Sequence, residues 1–137
     1  MGAYSAGWMK GIDVANAGEE KDKPDFLTII RGRQLSAVVF VQNYVQLQFD
    51  GPGLTAYTLP VVVIGERRLE AGSPGYRDGL CAQITKIVQN AYVQEGQRFQ
   101  VDFEDGCSIA ISLRPEDRRG PEAIWFHSGR QKEWGVW

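Results

Sequence analysis

The sequence has few of the residues from which metal centres and catalytic devices are usually built. It contains a single histidine, His127, and two cysteines, Cys81 and Cys107, which are far apart and form no CxxC pair. Structural zinc needs a compact set of such ligands at recognisable spacings, so we expect no metal site and no cofactor. We expect both cysteines to be reduced and buried as small apolar residues.

Long apolar runs and an excess of one charge are also missing. No segment approaches the roughly 20 apolar residues that cross a bilayer, so we expect no membrane association. The 15 basic residues nearly balance 17 acidic ones, and the net charge of -2 disfavours nucleic acid as a partner. Residues 1–13 lack a basic segment followed by an apolar one, which predicts no secretory signal and a cytoplasmic location.

The first part of the chain differs in pattern from the rest. Residues 1–25 are rich in glycine, alanine and charged side chains without a sustained period, which is typical of a flexible N-terminal arm. Residues 26–137 carry regular patterns and are long enough to bury one core. We therefore predict a single domain over residues 26–137.

Two segments alternate apolar and polar residues with the period of a β-strand. Each is followed by a glycine-containing turn and a returning apolar strand, which predicts a β-hairpin. In the first hairpin Pro60 cannot donate to a ladder, so the returning strand is expected to end, bulge or lie at an edge there. The matching apolar positions are Val45, Leu47, Phe49, Leu54 and Ala56 in the first hairpin, and Phe99, Val101, Phe103, Ile109 and Ile111 in the second.

The two hairpins align with each other residue by residue. The shift is 54 residues before the turns, as from Val45 to Phe99, and 55 after them, as from Leu54 to Ile109. Period-two alternation and turn chemistry produce part of such a match by themselves. We favour an internal duplication that covers about residues 30–60 and 84–115. The aligned pairs outside the hairpins are Ile30 with Ile84, Val39 with Val93, and Pro60 with Pro115.

One segment between the hairpins has the period of a helix. Ser73 and Pro74 suit a helix start, and Tyr76, Leu80 and Ile84 recur at helical spacing. We predict an amphipathic helix over residues 74–89. The predicted fold class is α+β, predominantly antiparallel, with two related hairpin units forming a sheet or flattened barrel and this one helix packed on it.

Four short motifs extend over most of the chain: Ile-x-Gly-x-x-Leu at residues 30–35, Tyr-Arg-Asp-x-Leu-Cys at 76–81, Phe-x-Asp-Gly at 103–106 and Gly-Pro-Glu-Ala at 120–123. In this arrangement residues 28–137 resemble a family of small uncharacterised bacterial domains with a duplicated β-hairpin. Some of its members resemble immunity proteins of polymorphic toxin systems, which bind and neutralise a cognate toxin. The resemblance implies a protein that occludes a toxin-like partner.

Aromatic residues near the end of the sequence form the candidate binding surface. Residues 122–128 have the pattern of a strand in which Ile124 and Phe126 face the core, so that Trp125 and His127 face outwards. Exposed Trp and Arg anchor many protein interfaces, although Trp also packs in the cores of small domains. The candidate surface comprises Trp125, His127, Trp134 and Trp137, with Arg114 and Arg130 at its rim.

Three roles remain open. The first is a non-catalytic protein-binding domain, such as an immunity-type inhibitor. The alternative is a small-molecule-binding domain or enzyme that uses His127 with Glu122 or Asp117, and it predicts a cleft where these groups converge with a shifted pKa. The third is self-association through a strand edge near Trp137. Because no GxSxG nucleophile motif is present, we favour binding over catalysis.

Overall fold

The computed structural model describes residues 22–127 and 133–136. Residues 1–21 of the predicted arm lie outside them, whereas residues 22–25 begin the first helix. The elements in chain order are α1 (Asp22–Ile30), β1 (Ala37–Val41), β2 (Tyr44–Gln48), β3 (Gly53–Ala56), β4 (Val61–Ile64), β5 (Arg67–Leu69), α2 (Tyr76–Cys81), β6 (Val88–Gln94), β7 (Arg98–Phe103), β8 (Ser108–Ser112), a 3-10 helix (Pro115–Asp117), β9 (Ile124–His127) and β10 (Glu133–Val136).

The strands form two five-stranded antiparallel sheets, in agreement with the predicted antiparallel α+β class. Sheet one has the order β1-β2-β3-β9-β10, and sheet two has the order β5-β4-β8-β7-β6. Each sheet therefore joins a three-stranded meander from one half of the chain to a two-stranded hairpin from the other half. The hairpin β4–β5 leaves the first half for sheet two, and β9–β10 completes sheet one.

The chain changes sheets at the proline that was expected to interrupt the first hairpin. The returning strand β3 ends at Ala56, and β4 starts at Val61 in the other sheet. Pro60 lies between them, and its carbonyl oxygen accepts a 2.5 Å hydrogen bond from the buried hydroxyl of Tyr76. Pro60, which lacks an N–H, directly precedes β4, so neither strand runs through the proline.

One hydrophobic core lies between the sheets. All ten matching apolar positions of the two predicted hairpins are buried in it. Phe126 of sheet one lies 4.1 Å from Phe26 of α1 and 5.5 Å from Phe99 of sheet two, measured between ring centroids. The three rings thus connect both sheets and the first helix.

The predicted helix over residues 74–89 is wrong in length. The helix α2 ends at Cys81, and Val88 already begins strand β6. Thr85 has a φ of 83°, which an α-helix does not contain, and its N–H donates to the carbonyl oxygen of Leu35 at 2.8 Å. Backbone pairing with a distant segment therefore replaces the last turns of the expected helix.

The structure also differs from the expectation of one helix and two buried cysteines. The unpredicted helix α1 packs against β6 and β10, while α2 packs against β4 and β1, so each helix contacts a strand of both sheets. Cys107 is buried as expected, but Cys81 is exposed at the end of α2, and both are free thiols. Among the described residues, no helix is long and apolar enough to cross a membrane.

Candidate functional site

The candidate surface is built around strand β9. Ile124 and Phe126 are fully buried, and Trp125 and His127 lie half-buried on the other side of the strand, as predicted from the alternation. Both side chains therefore belong to the outer face of sheet one. What surrounds them is decided by the strands that pair with β9.

The Trp125 row crosses four strands. Trp125 pairs with Thr55 on β3, Thr55 pairs with Gln46 on β2, and Gln46 pairs with Val39 on β1. The side-chain amide of Gln46 donates to the hydroxyl of Thr55 at 3.3 Å. Thr55 is only 7% exposed although it faces outwards, so the neighbouring side chains cover it. The row is thus a packed surface with an amide and an indole at its centre.

The His127 row depends on a glycine. His127 pairs with Gly53, which pairs with Gln48, and Gln48 pairs with Ala37 on the edge strand. A Cβ atom on Gly53 would lie 2.7 Å from Cε1 of His127 and 2.9 Å from the carbonyl oxygen of Leu47. Only glycine therefore lets the imidazole lie against β3.

A third row extends this face beyond the tryptophan. Val41 pairs with Tyr44 in the turn-proximal part of the β1–β2 hairpin. The ring of Tyr44 lies 5.6 Å from the ring of Tyr57, which follows β3. Val39 and Val41 are 37% and 38% exposed. The outer face thus combines aromatic, aliphatic and amide groups.

We call this surface the uncharged face, because none of its side chains on β1, β2, β3 and β9 is Lys, Arg, Asp or Glu. On the neighbouring strand β10, Glu133 pairs with His127 and so borders this face. The outer face of sheet two differs, since it carries Arg68, Arg98 and Asp102 on strands β5 and β7. Charge is usually depleted at the centre of protein interfaces. The uncharged face comprises Ala37, Val39, Val41, Tyr44, Gln46, Gln48, Thr55, Trp125 and His127.

The structure places two of the six predicted site residues, Trp125 and His127, on β9 and a third, Trp134, on the adjacent strand β10. Arg114 lies at the end of β8 in sheet two, where its guanidinium pairs with Glu116 at 3.3 Å on the exposed surface. Trp134 belongs to β10, whereas Arg130 and Trp137 lie outside the described residues. Arg114 is therefore not placed beside Trp125, whose paired neighbours are Thr55 on β3 and Val136 on β10.

The catalytic alternative gains no support from the geometry. Asp117 accepts a hydrogen bond from the hydroxyl of Ser112 at 2.5 Å. Within residues 22–127, no hydrogen bond or ion pair joins His127 to Asp117 or Glu122. The part of the chain that the structure describes also contains no group of His, Cys, Asp and Glu that could hold a metal ion.

The groups with shifted pKa values lie away from the uncharged face. Nζ of Lys86 lies 2.7 Å from Oδ2 of Asp105 and 3.5 Å from Sγ of Cys107. The hydrogen bond from Lys86, with that from the N–H of Cys107, lowers the pKa of Asp105. Burial opposes the charge on Lys86, but its hydrogen bonds to Asp105 and Cys107 raise its pKa overall. Burial also raises the pKa of Tyr76 to about 12. Tyr76 thus contacts the crossover at Pro60, and Lys86 contacts the turn of the second hairpin at Asp105.

The chain matches no protein-family model, no curated protein and no solved structure. The resemblance to immunity-type domains therefore stays a prediction. Sequence reasoning missed Val39, Gln46 and Thr55, because they join Trp125 only through the strand order. The one available signal was the use of Gln rather than charged residues on the wet side of β2.

Proposed function

We propose that this chain is a non-catalytic protein-binding domain and that the uncharged face is its recognition surface. The observation that carries the proposal is the continuity of this face over four paired strands, with the half-buried Trp125 beside Thr55 and Gln46. Aromatic side chains surrounded by neutral hydrogen-bonding groups are typical of the centre of protein interfaces. The partner is a folded protein with a matching neutral surface, and the effect of binding is steric occlusion.

The two sheets support this choice because the matching outer row of sheet two has other chemistry. There Tyr92, Gln100, Ala110 and Val61 pair across β6, β7, β8 and β4. In this row Gln100 has the position that Gln46 has in sheet one, but Val61 has the position of Trp125. Sheet two thus supplies internal controls for every test of the uncharged face.

The test combines capture with site-specific crosslinking. A photo-crosslinking residue at Gln46 should capture a partner from a lysate of the source organism, and the same residue at Gln100 should not. Trp125→Ala should abolish capture at residue 46, whereas Tyr92→Ala, a truncation of a half-buried aromatic on the other sheet, should leave it unchanged. Equal capture at residues 46 and 100, or a Trp125→Ala variant that captures normally, would contradict the proposal.

The identity of the partner tests the immunity-type role that the sequence resemblance implies. If the captured protein is an enzyme toxin, wild-type chain should inhibit its activity at stoichiometric concentration and Trp125→Ala should not. A partner without toxic activity would remove the immunity role and leave the binding surface in place.

We also propose that the two halves of the chain arose by duplication, followed by exchange of the hairpins β4–β5 and β9–β10. The pairing of Leu54 with Phe126 in sheet one matches that of Ile109 with Val62 in sheet two. Upstream of the hairpins the matching positions differ by one residue from the sequence alignment, because the ladders place Phe40 opposite Val45 and Val93 opposite Phe99. Val93 therefore matches Phe40 and not Val39.

A further inference from the structure

Strand β1 is an edge strand without the protection that edges usually carry. Native proteins guard edge strands with charge, bulges or short length, since unpaired N–H and C=O groups invite another strand. The edge β5 has three residues, two of them arginines. The edges β6 and β10 each contain a register irregularity, and β10 starts with Glu133.

By contrast, β1 is regular, uncharged and apolar throughout. Its sequence is Ala-Val-Val-Phe-Val, and its five residues pair with β2 without an irregularity. Val39 and Val41 are two of the three exposed large hydrophobic side chains among the described residues. An edge of this composition is a template for further strand pairing.

The ladder fixes which backbone groups point to the open side. The N–H of Phe49 donates to the carbonyl oxygen of Pro52, so alternate residues of β2 from Phe49 backwards bond to β3. The other residues of β2 therefore bond to β1, where they face Ala37, Val39 and Val41. By the same alternation Val38 and Phe40 direct their N–H and C=O groups away from β2, to the open edge.

The helix next to β1 leaves this edge open on the outer side. Arg77 of α2 lies with its guanidinium 5.7 Å from the ring centroid of Phe40. The Phe40 side chain packs against the core, so this contact is on the inner side of the sheet. Val39 and Val41 remain exposed on the outer side.

We propose that two copies of this chain associate through β1, antiparallel, with Val39 on the two-fold axis. In this register the N–H and C=O groups of Val38 in one copy bond to the C=O and N–H groups of Phe40 in the other copy. The two-fold axis generates the same two bonds between Phe40 of the first copy and Val38 of the second. The two Val39 side chains meet as a pair without hydrogen bonds, the arrangement in which cross-strand side chains are closest. The two copies of sheet one then form one continuous sheet.

A second copy fits this edge better than an unrelated strand because the edge is complementary to itself. Its open hydrogen-bonding groups sit at Val38 and Phe40, symmetrically about Val39, so the two-fold operation matches donors to acceptors. With no charged side chain on β1, self-pairing places no like charges opposite each other. This inference does not rest on the proposed function, although the dimer would place two uncharged faces side by side.

The test places a positive or a negative charge at Val39, the residue on the proposed two-fold axis. Wild-type chain should elute at high concentration with a mass of twice 15.3 kDa in light-scattering chromatography. Val39→Lys and Val39→Glu should each weaken dimerisation by about tenfold or more, because each puts like charges opposite each other. An equimolar mixture of the two variants should dimerise again. Val61→Lys, on the outer face of sheet two opposite Ala110, is the matched control and should dimerise as wild type does.

Crosslinking tests the register independently of charge. In a Cys81→Ser background, Val39→Cys should form an intermolecular disulfide on mild oxidation, because pairs without hydrogen bonds bring Cβ atoms close enough. A chain that stays monomeric at high concentration overturns the proposal. A dimer that survives both charge variants, or variants that fail to recombine on mixing while circular dichroism shows them folded, also overturns it. A β1 edge occupied only when a different protein is present would assign this edge to a heterologous strand instead.

Discussion

Gly32 and Thr85 occupy matching positions in a pair of hydrogen-bonded segments, and both have a φ of 83°. The N–H of Gly32 donates to the carbonyl oxygen of Val88 at 2.9 Å, and the N–H of Thr85 donates to that of Leu35 at 2.8 Å. One segment contains Gly32 and Leu35 and leads into β1, and the other contains Thr85 and Val88 and leads into β6. Exchanging the two segments converts one hydrogen bond into the other. The same positive φ thus occurs twice, once at glycine, which adopts it readily, and once at a β-branched residue, for which it is unfavourable.

Replacing Thr85 with glycine should stabilise the protein. A left-handed conformation destabilises an L-residue in the folded state by about 1–2 kcal/mol, and glycine removes this penalty. The larger conformational entropy of glycine in the unfolded state offsets about 0.5–1 kcal/mol of the gain. We expect the free energy of unfolding in urea to rise by up to about 1 kcal/mol with an unchanged m-value. Gly32→Thr should lower it by a similar amount, up to about 1 kcal/mol, although the space around Gly32 is open. Thr85→Ala keeps a Cβ atom and is the control; a Thr85→Gly protein less stable than Thr85→Ala would contradict the strain.

Phe126 should contribute more to stability than any residue of the uncharged face. Its ring contacts Phe26 and Phe99, so truncation opens a cavity between α1 and both sheets. We expect Phe126→Ala to lower the free energy of unfolding by about 3–5 kcal/mol, measured by urea denaturation. Trp125→Ala, one residue away on the half-buried side, should cost clearly less. Equal losses for the two variants would mean that the core does not converge on Phe126.

Local patterns predicted the two hairpins, because period-two alternation and the turn residues act over a few neighbouring positions. Val45 and Phe99 are buried where the pattern placed them. The exchange of hairpins could not be predicted in this way. The pairing of Thr55 with Trp125 joins residues far apart in sequence. The local sequence pattern of each strand does not indicate which distant strand it pairs with.

The same distinction explains the errors in the helix and in the candidate surface. The helix α2 ends at Cys81, and it cannot extend through Thr85 because the N–H of Thr85 bonds to the carbonyl oxygen of Leu35. Tertiary contacts thus override helical periodicity. The outward direction of Trp125 and His127 followed from the alternation alone. Their neighbour Gln46 could be identified only once the strand order of sheet one was known.

The ion pair between Lys86 and Asp105 should make stability depend on pH at both ends of the scale. The pKa of Asp105 lies below its ordinary value of 3.8, so its contribution is present above that value and is lost as pH falls through the lowered pKa. The pKa of Lys86 lies above its ordinary value of 10.5, so its contribution is present below that value and is lost as pH rises through the raised pKa. The pair is therefore fully formed between these two ordinary values.

Asp105→Asn isolates this ion pair from the neighbouring backbone bond. The amide oxygen of asparagine can still accept the hydrogen bond from the N–H of Cys107. Because the two side chains are 26% and 46% exposed, solvent screens the pair, and we expect a loss of at most about 1 kcal/mol at neutral pH. Urea unfolding across the pH range should show this difference vanish in acid. A difference that persists unchanged in acid would show that the substitution acts through something other than charge.

The contact between Gly53 and His127 predicts non-additive effects on stability. A Cβ atom on Gly53 would clash with both the imidazole of His127 and the backbone oxygen of Leu47. The imidazole can move away, but the carbonyl belongs to the ladder and cannot move without breaking it. We therefore expect Gly53→Ala to lower the free energy of unfolding by about 1–3 kcal/mol. In a His127→Ala background the cost should be smaller by about 0.5 kcal/mol or more, measured as a double-mutant cycle in urea. An additive cycle would mean that the Leu47 carbonyl alone requires the glycine, and that the position of His127 on the uncharged face does not depend on it.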